Sequence, residues 1–307
     1  MSIFNLYGEP LYTGVNVREF GAKGDGTTDD ATAIQNAIDS VSSGGMVFFP
    51  AGTYLIKTSI EFYSNQTLWF DDGAVLLQGG AINNLLRTHC ESTWTGYTGT
   101  HDSLIYGATF DGGAYTTNNT LVGTVHAKNI SFVRCTFKNA YGTWHDLEIN
   151  SSYNVKVINC DFEGSRKTGD KGEMIQIDAA LSSSVWPWDG ANFDSTVSKY
   201  IEISGCYFHD DTVSPAIGNH STATHQFIRI FDNIFDTLTG TKGAISFNGG
   251  GKNIDIHDNT FNGCTTGIGS SGATYYIHDN RFVGATTAIS GSASVAHANM
   301  INGTFAA

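Results

Sequence analysis

The sequence predicts an all-β protein, a parallel β-helix solenoid closed at its N-terminal end by a capping helix. Three observations predict it: a short motif that recurs every twenty-odd residues, a composition suited to strands and turns, and one amphipathic helical stretch ahead of the repeats. The motif reads "NISFVRCTFKNA" at 129–140, "NVKVINCDFEGS" at 154–165, "YIEISGCYFHDD" at 200–211, "FIRIFDNIFDTL" at 227–238, "NIDIHDNTFNGC" at 253–264 and "YYIHDNRFVGA" at 275–285. Each segment alternates apolar and polar residues, passes through a small or polar pair and reaches a Phe. Those Phe fall at 137, 162, 208, 235, 261 and 282, with gaps of 25, 46, 27, 26 and 21, and Phe110 sits in phase 27 residues earlier. The gap of 46 is one repeat plus an insertion. Short strands repeated at this period stack as coils of a solenoid, each pairing only with its neighbours. The whole chain, 1–307, reads as one such domain, with a cap region at 15–56 and an inserted loop at 181–198.

Composition agrees with the repeats. Of 307 residues 36 are Gly, and charged residues make up only 15% of the chain, so the polar load falls on Gly, Ser, Thr and Asn at turns. Stacking predicts that like positions form columns about 4.8 Å apart. Cys135, Cys160 and Cys206 each lie two residues before a repeat Phe and are read as a column of buried thiols. Five cysteines, an odd number, exclude a complete disulfide framework. In the cap region Ala33, Ile34, Ala37, Ile38 and Val41 recur at helical spacing, with Thr28 or Asp29 as N-cap and Gly44 near the stop. A solenoid needs such a cover, because an open terminal coil exposes core and strand edges.

Charge narrows the partners. A net charge of −13 excludes a nucleic-acid partner, which would require a basic stripe. Arg166, Lys167 and Lys171 form the one basic cluster and are read as a solvated loop. No apolar run reaches the length of a membrane span, and "MSIFNLYGEPLY" has neither the basic nor the apolar region of a signal peptide.

The stretch "VNVREFGAKGDGTTDDATAIQNAID...GGMVFFPAGTYLI" (15–56) resembles the N-terminal signature of the pectate-lyase-like superfamily of right-handed parallel β-helix proteins. Members include phage tailspikes and polysaccharide-degrading enzymes. The resemblance implies a right-handed coil, a substrate groove along one sheet, an extracellular or virion setting and, as in related spikes, a homotrimer. In that signature Asp25, Asp29 and Asp30 are expected to shape turns and cap the helix. The later stretches "HDLEIN", "GEMIQIDAA" and "SPAIGNHS" are similar to bacterial and phage β-helix proteins that hydrolyse glycans. The Asn-Thr-Asp, Gly-Asp-Asp and Gly-His-Gly motifs of polygalacturonases are absent, so their mechanism is not carried over residue by residue.

Stacking itself locates a candidate site. The strands "HDLEIN" (145–150), "EMIQID" (173–178), "PAIGNH" (215–220) and "GAISFN" (243–248) align by Leu147, Ile175, Ile217 and Ile245. Alternation then puts Glu148, Gln176, Gly218 and Ser246 in one outward column and Asn150, Asp178, His220 and Asn248 in the next. Glu148 and Asp178 lie diagonally on adjacent coils, roughly 8 Å apart at Cα. This favours an inverting over a retaining pair, whose carboxyls are ~6.5–9.5 Å and ~5–5.5 Å apart respectively. The expectation is a glycoside hydrolase in which Glu148 and Asp178 divide acid and base roles and His220 stabilises the ionised partner. Substrate contacts are expected from His145, Asp146, Asn150, Glu173, Gln176, Asn219 and Asn248, with Trp186 and Trp188 of the inserted loop as sugar-stacking faces. A second aromatic loop, "TWTGYTGTHD" (93–102), flanks the other side. No cofactor or metal is called for, and "HDD" at 209–211 forms a turn rim, since contiguous side chains diverge. A polysaccharide lyase is the second enzymatic reading, disfavoured because the patch shows no Lys or Arg; a teichoic-acid phosphodiesterase is a third. A non-catalytic glycan-binding spike or adhesin is the alternative from another class.

Overall fold

The structure, a computed structural model, describes residues 2–4, 10–164, 166–169, 171–181, 192–219, 223–247, 251–270, 274–291, 295–302 and 304–306. The chain is a right-handed parallel β-helix. Among the described residues it forms three sheets, of nine, twelve and twelve strands. We call the nine-stranded sheet sheet one; it includes Leu147–Asn150, Ile175–Asp178, Ile217–Asn219 and Ile245–Phe247. Sheet two includes Tyr153–Ile158, Lys199–Ser204, His225–Phe231 and Gly251–His257. Sheet three carries the short Phe-centred strands such as Asp161–Glu163 and Tyr207–His209. Among the described strands pairing is parallel apart from the terminal pairs at Ser2–Phe4 and Thr304–Ala306, and one isolated antiparallel bridge joins Ala179 and Val197.

The repeat Phe form a single stack through the core. Phe110, Phe137, Phe162, Phe208, Phe235, Phe261 and Phe282 pair in register and are fully buried. From Phe137 onward adjacent rings lie 4.6–4.9 Å apart and within 12° of parallel. Burial of one such ring contributes ~1.5–3 kcal/mol, and stacking adds ~0.5–1.5 kcal/mol per pair.

A second column lines the corner between sheets two and three. Cys160 Sγ accepts from Cys135 N and Cys206 Sγ from Cys160 N, each at 3.4 Å. The column then changes residue type. Asn233 Oδ1 accepts from Cys206 N at 2.9 Å, and Asn259, Asn280 and Asn299 continue the pattern. Thiol and amide thus serve one purpose: they satisfy a buried backbone N–H at a turn too tight for a ladder bond. Burial pushes the Cys160 and Cys206 thiols well up, so they remain protonated acceptors.

Each corner also needs a left-handed residue. Entering sheet two, Asn129, Asn154, Tyr200, Phe227 and Asn253 hold φ between 54° and 58°. Asn tolerates this region, whereas a bulky residue pays ~1–2 kcal/mol.

The cap helix spans Ala31–Asp39 and buries Ala31, Ile34, Ala37 and Ile38. Its N-cap is Asp30, not Thr28 or Asp29, and its C-cap is Ser40 rather than a residue at Gly44. The Asp30 carboxylate does not cap the helix: it accepts from Lys23 N and Gly24 N at 2.7 and 2.9 Å. Asp25 accepts from Thr27 N and Thr28 N, so the acids of this segment mainly build turns, as expected. At the other end Gln66 Nε2 donates to the carbonyls of Ile38 and Val41.

The mixed ladder yields a prediction. Asn259→Ala strands the Asn233 N–H and removes amide donors to the Ile230 and His257 carbonyls, for a loss of ~1–3 kcal/mol per stranded group. Cys160→Ala forfeits a weaker acceptor, so urea titration should show the smaller loss there.

Candidate active site

The register places Glu148 beside Gln176 and Asn150 beside Asp178 on adjacent coils of sheet one. Gln176 pairs with Gly218 and Gly218 with Ser246, completing the expected column. Glycine is required in it: a Cβ at Gly218 would collide with the Ser246 carbonyl. Gln176 Nε2 donates to Asp178 Oδ2 at 3.0 Å, and Ala179 N donates to Oδ1 at 2.7 Å. Both oxygens of Asp178 are therefore held in place.

The patch is covered. Glu148 is 3% exposed and Asp178 0%. Burial first, then the Asp178 and Glu173 charges, push the Glu148 carboxyl well above its ordinary value, against an opposing contribution from Asn150. Glu148 is thereby biased toward its protonated form beside a second carboxyl. Around the pair, the buried Asn150 amide and Gln176 Oε1 have no hydrogen bond of good geometry among the described residues, Asn150 lying only close enough to Glu148 to oppose its upward push. Such groups cost ~1–3 kcal/mol each in a folded chain, and they are the atoms a polar ligand would engage.

Residues 14–290 match the family described as rhamnogalacturonase A/epimerase, pectate lyase-like. The chain belongs to that family. Plasmin and fibronectin-binding protein A of Streptococcus pneumoniae is 30% identical to this pectate-lyase-like chain over 263 residues, 74% of this chain and 36% of the relative. The pre-neck appendage protein of Bacillus phage B103 is 26% identical over 266 residues, 83% of this chain and 27% of the relative. The chain thus spans well under half the length of either relative. Two solved structures share its fold. PfbA, a surface adhesin of Streptococcus pneumoniae, superposes with a TM-score of 0.72 at 24% identity, over 94% of this chain and 74% of that one. A hyperthermoactive exopolygalacturonase from Thermotoga maritima does so with 0.64 at 14% identity, over 97% and 77%.

Other expected site residues of this pectate-lyase-like chain fall elsewhere. Asn219 does not face the outward patch: it pairs with Phe247 in the inward column and is buried. Asp146 is fully buried and ion-paired with Lys167 at 3.2 Å, and Lys167 Nζ also donates to the Trp144 carbonyl. Burial pushes Asp146 up to about 6 although the Lys167 charge opposes it. The basic loop is accordingly not solvated throughout. Arg166 donates to the Gly113 and Tyr115 carbonyls, and only Lys171 of the three is exposed. A cation therefore lies at the entrance to the first site strand, contrary to the expectation of none. His145 Nδ1 approaches the Glu173 carbonyl at 3.1 Å and its carboxylate at 3.6 Å. His220, Asn248, Trp186 and Trp188 lie outside the described residues.

The two flanking loops meet. Gly96 N donates to Asp194 Oδ2 and Tyr97 Oη to the Val197 carbonyl, both at 2.8 Å. His126 joins them, with Nδ1 on Gly96 O and Nε2 on Asn192 O. At 209–211 two side chains converge and one departs: His209 contacts Asp210 as well as Asp161, while Asp211 turns inward to accept from Val213 N and Ser214 N.

His225 is the site residue that sequence reasoning missed. It is buried, its Nδ1 accepts from Ser198 N at 3.2 Å, and Ser198 Oγ in turn donates to the Asp178 carbonyl at 2.8 Å. Burial pushes His225 down to about 4, against the opposing pull of the Asp178 charge. The only signal is positional: Ser152 and Ser198 immediately precede sheet-two strands, and His225 and Gly251 open the next two.

A pH effect follows. With His225 neutral in the fold, the unfolded chain binds the extra proton below its ordinary value of 6.5. Its stability contribution is therefore complete above 6.5 and is lost as pH falls toward about 4. That loss is on the order of 3 kcal/mol at ~1.4 kcal/mol per unit. Asp146, raised from 3.8 to about 6, slopes the opposite way, losing stability as pH rises through that window. The readout is therefore wild type against His225→Gln: urea midpoints at pH 7.5 and 4.5 should show a shallower acid loss in the variant.

Proposed function

We propose that this chain is a polysaccharide-degrading glycoside hydrolase acting on an extracellular or cell-surface glycan in a secreted or virion setting. The observation that carries this reading is the Glu148–Asp178 pair, with one carboxyl pushed well up and unpartnered buried amide atoms around it. Glycoside hydrolysis needs one protonated and one ionised carboxyl flanking the scissile bond. Glu148 donates its proton to the glycosidic oxygen. Asp178, its oxygens fixed by Gln176 and Ala179, serves as the ionised partner on the adjacent coil. The diagonal placement suits a partner that activates water, hence inversion. Asn150, Gln176, Glu173 and His145 supply polar contacts around the bond. The Lys167–Asp146 pair gives the lyase reading a cation at the edge of the patch, but that cation is already neutralised.

The burial of both carboxyls, together with the similarity to a surface adhesin, favours a second reading: a glycan-binding surface protein without cleavage. A glycan panel with mass-spectrometric product analysis separates the two. Under the hydrolase reading, Glu148→Gln and Asp178→Asn each lower kcat by roughly 10²- to 10⁴-fold. Glu148→Gln should also keep or raise the melting temperature at pH 7, because the amide replaces a carboxyl whose ionised form burial disfavours. Products absorbing near 235 nm would indicate lyase chemistry instead. Full activity in both variants would remove the assignment, and sedimentation reads the trimer that the spike resemblance implies.

A further inference from the structure

We infer that the outward face of sheet two holds a second, separate binding surface, shaped for an uncharged oligosaccharide. It is a groove of about 700 Å³ on a different sheet from Glu148 and Asp178. Its defining feature is two aromatic residues in a backbone position that resists them. The left-handed column entering sheet two is Asn at 129, 154 and 253, but Tyr at 200 and Phe at 227, with φ of 57° and 58°. Asn is the residue that tolerates this conformation; a bulky ring there is an outlier. Neither ring gains burial in exchange, since Tyr200 is 44% exposed and Phe227 39%. Residues held against both backbone preference and the hydrophobic effect mark functional surfaces.

The arrangement says what the surface accepts. The Tyr200 and Phe227 rings are stacked at 4.7 Å and 11°, and Tyr153 backs Tyr200 at 5.0 Å. Beyond Phe227 the next residue of the column is Asn253, which carries no ring, and the groove opens there toward exposed Tyr276. Beside the rings runs a registered column of Lys156, Glu202, Arg229 and Asp255, two cations and two anions. Arg229 reaches Glu202 at 3.7 Å. The four charges of this column cancel, and beyond them the ionisable lining is His278 and His297, so the groove offers donors and acceptors without a dominant charge of either sign. Flat apolar faces beside balanced polar groups fit a neutral sugar chain, which has apolar ring faces and equatorial hydroxyls. Glu202, Asp255 and the chain's net charge of −13 oppose a polyanion.

This surface does not depend on the hydrolytic reading, because a chain with no glycosidase activity would still carry it. The test titrates maltohexaose, cellohexaose and chitohexaose calorimetrically into the full chain carrying Glu148→Gln. The same titrations are run with Tyr200→Asn or Phe227→Asn added, each restoring the residue the column otherwise uses. The expected result is that at least one hexasaccharide binds and that each aromatic substitution weakens it tenfold or more. The melting temperature should stay equal or rise, since strain and exposed apolar area are both removed. Four results would overturn the inference: none of the three sugars binds; binding is unchanged in both variants; polygalacturonate competes more strongly than the neutral sugars; or the substitutions dissociate an oligomer, marking the face as a subunit contact. Absence of cleavage by the unsubstituted chain, with binding intact, would instead count only against the hydrolase.

Discussion

Everything in this molecule depends on the parallel stacking of like positions at the spacing of hydrogen-bonded strands. Each coil sets its side chains directly over those of the coil before, so every position is judged by whether it tolerates a copy or a complement of itself ~4.8 Å away. Phe tolerates copies, and the core is a stack of them. Asn tolerates copies because its amide both donates to one coil and accepts from another. Charges do not, and the outward column of sheet two alternates sign through Lys156, Glu202, Arg229 and Asp255.

The same rule shapes the candidate site. Two acids directly stacked would repel at full strength, and the column above Glu148 supplies an amide, Gln176, in place of a second carboxylate. The second acid stands one column over, near enough that its charge is the next cause after burial of the upward push on Glu148. Gln176 is bonded to Asp178 and leaves its own carbonyl oxygen unpartnered among the described residues. Taken by itself the patch is unfavourable: a buried acid, a buried neutral histidine and idle amide atoms. The solenoid around it supplies the excess stability that lets such a cluster persist, as functional sites in other folds require.

The corner ladder shows the same economy of parts. Cys135, Cys160 and Cys206 give way to Asn233, Asn259, Asn280 and Asn299 with no change in the backbone they serve. The Cys160 and Cys206 thiols are therefore structural acceptors, pushed toward the protonated form by burial.

The sequence by itself determined what repeats. The coil, the Phe stack, the thiol column and the pairing of Glu148 with Gln176 and of Asn150 with Asp178 were legible because alternation and a fixed period carry them from one segment to the next. Only the tertiary structure decided what does not repeat. Lys167 finds Asp146 across a loop, Asp194 finds Gly96 from 98 residues away, and His225 reaches the Asp178 strand through Ser198. Asn219 turned inward because Gly218 takes the outward place, and a polar residue opposite Phe247 is not what a hydrophobic pattern foretells. The aromatic pair at 200 and 227 was visible as letters, but its left-handed strain and exposure were not. Periodicity specifies which residues share a column; burial and cross-loop pairing depend on how irregular segments close over those columns, and no local pattern encodes that.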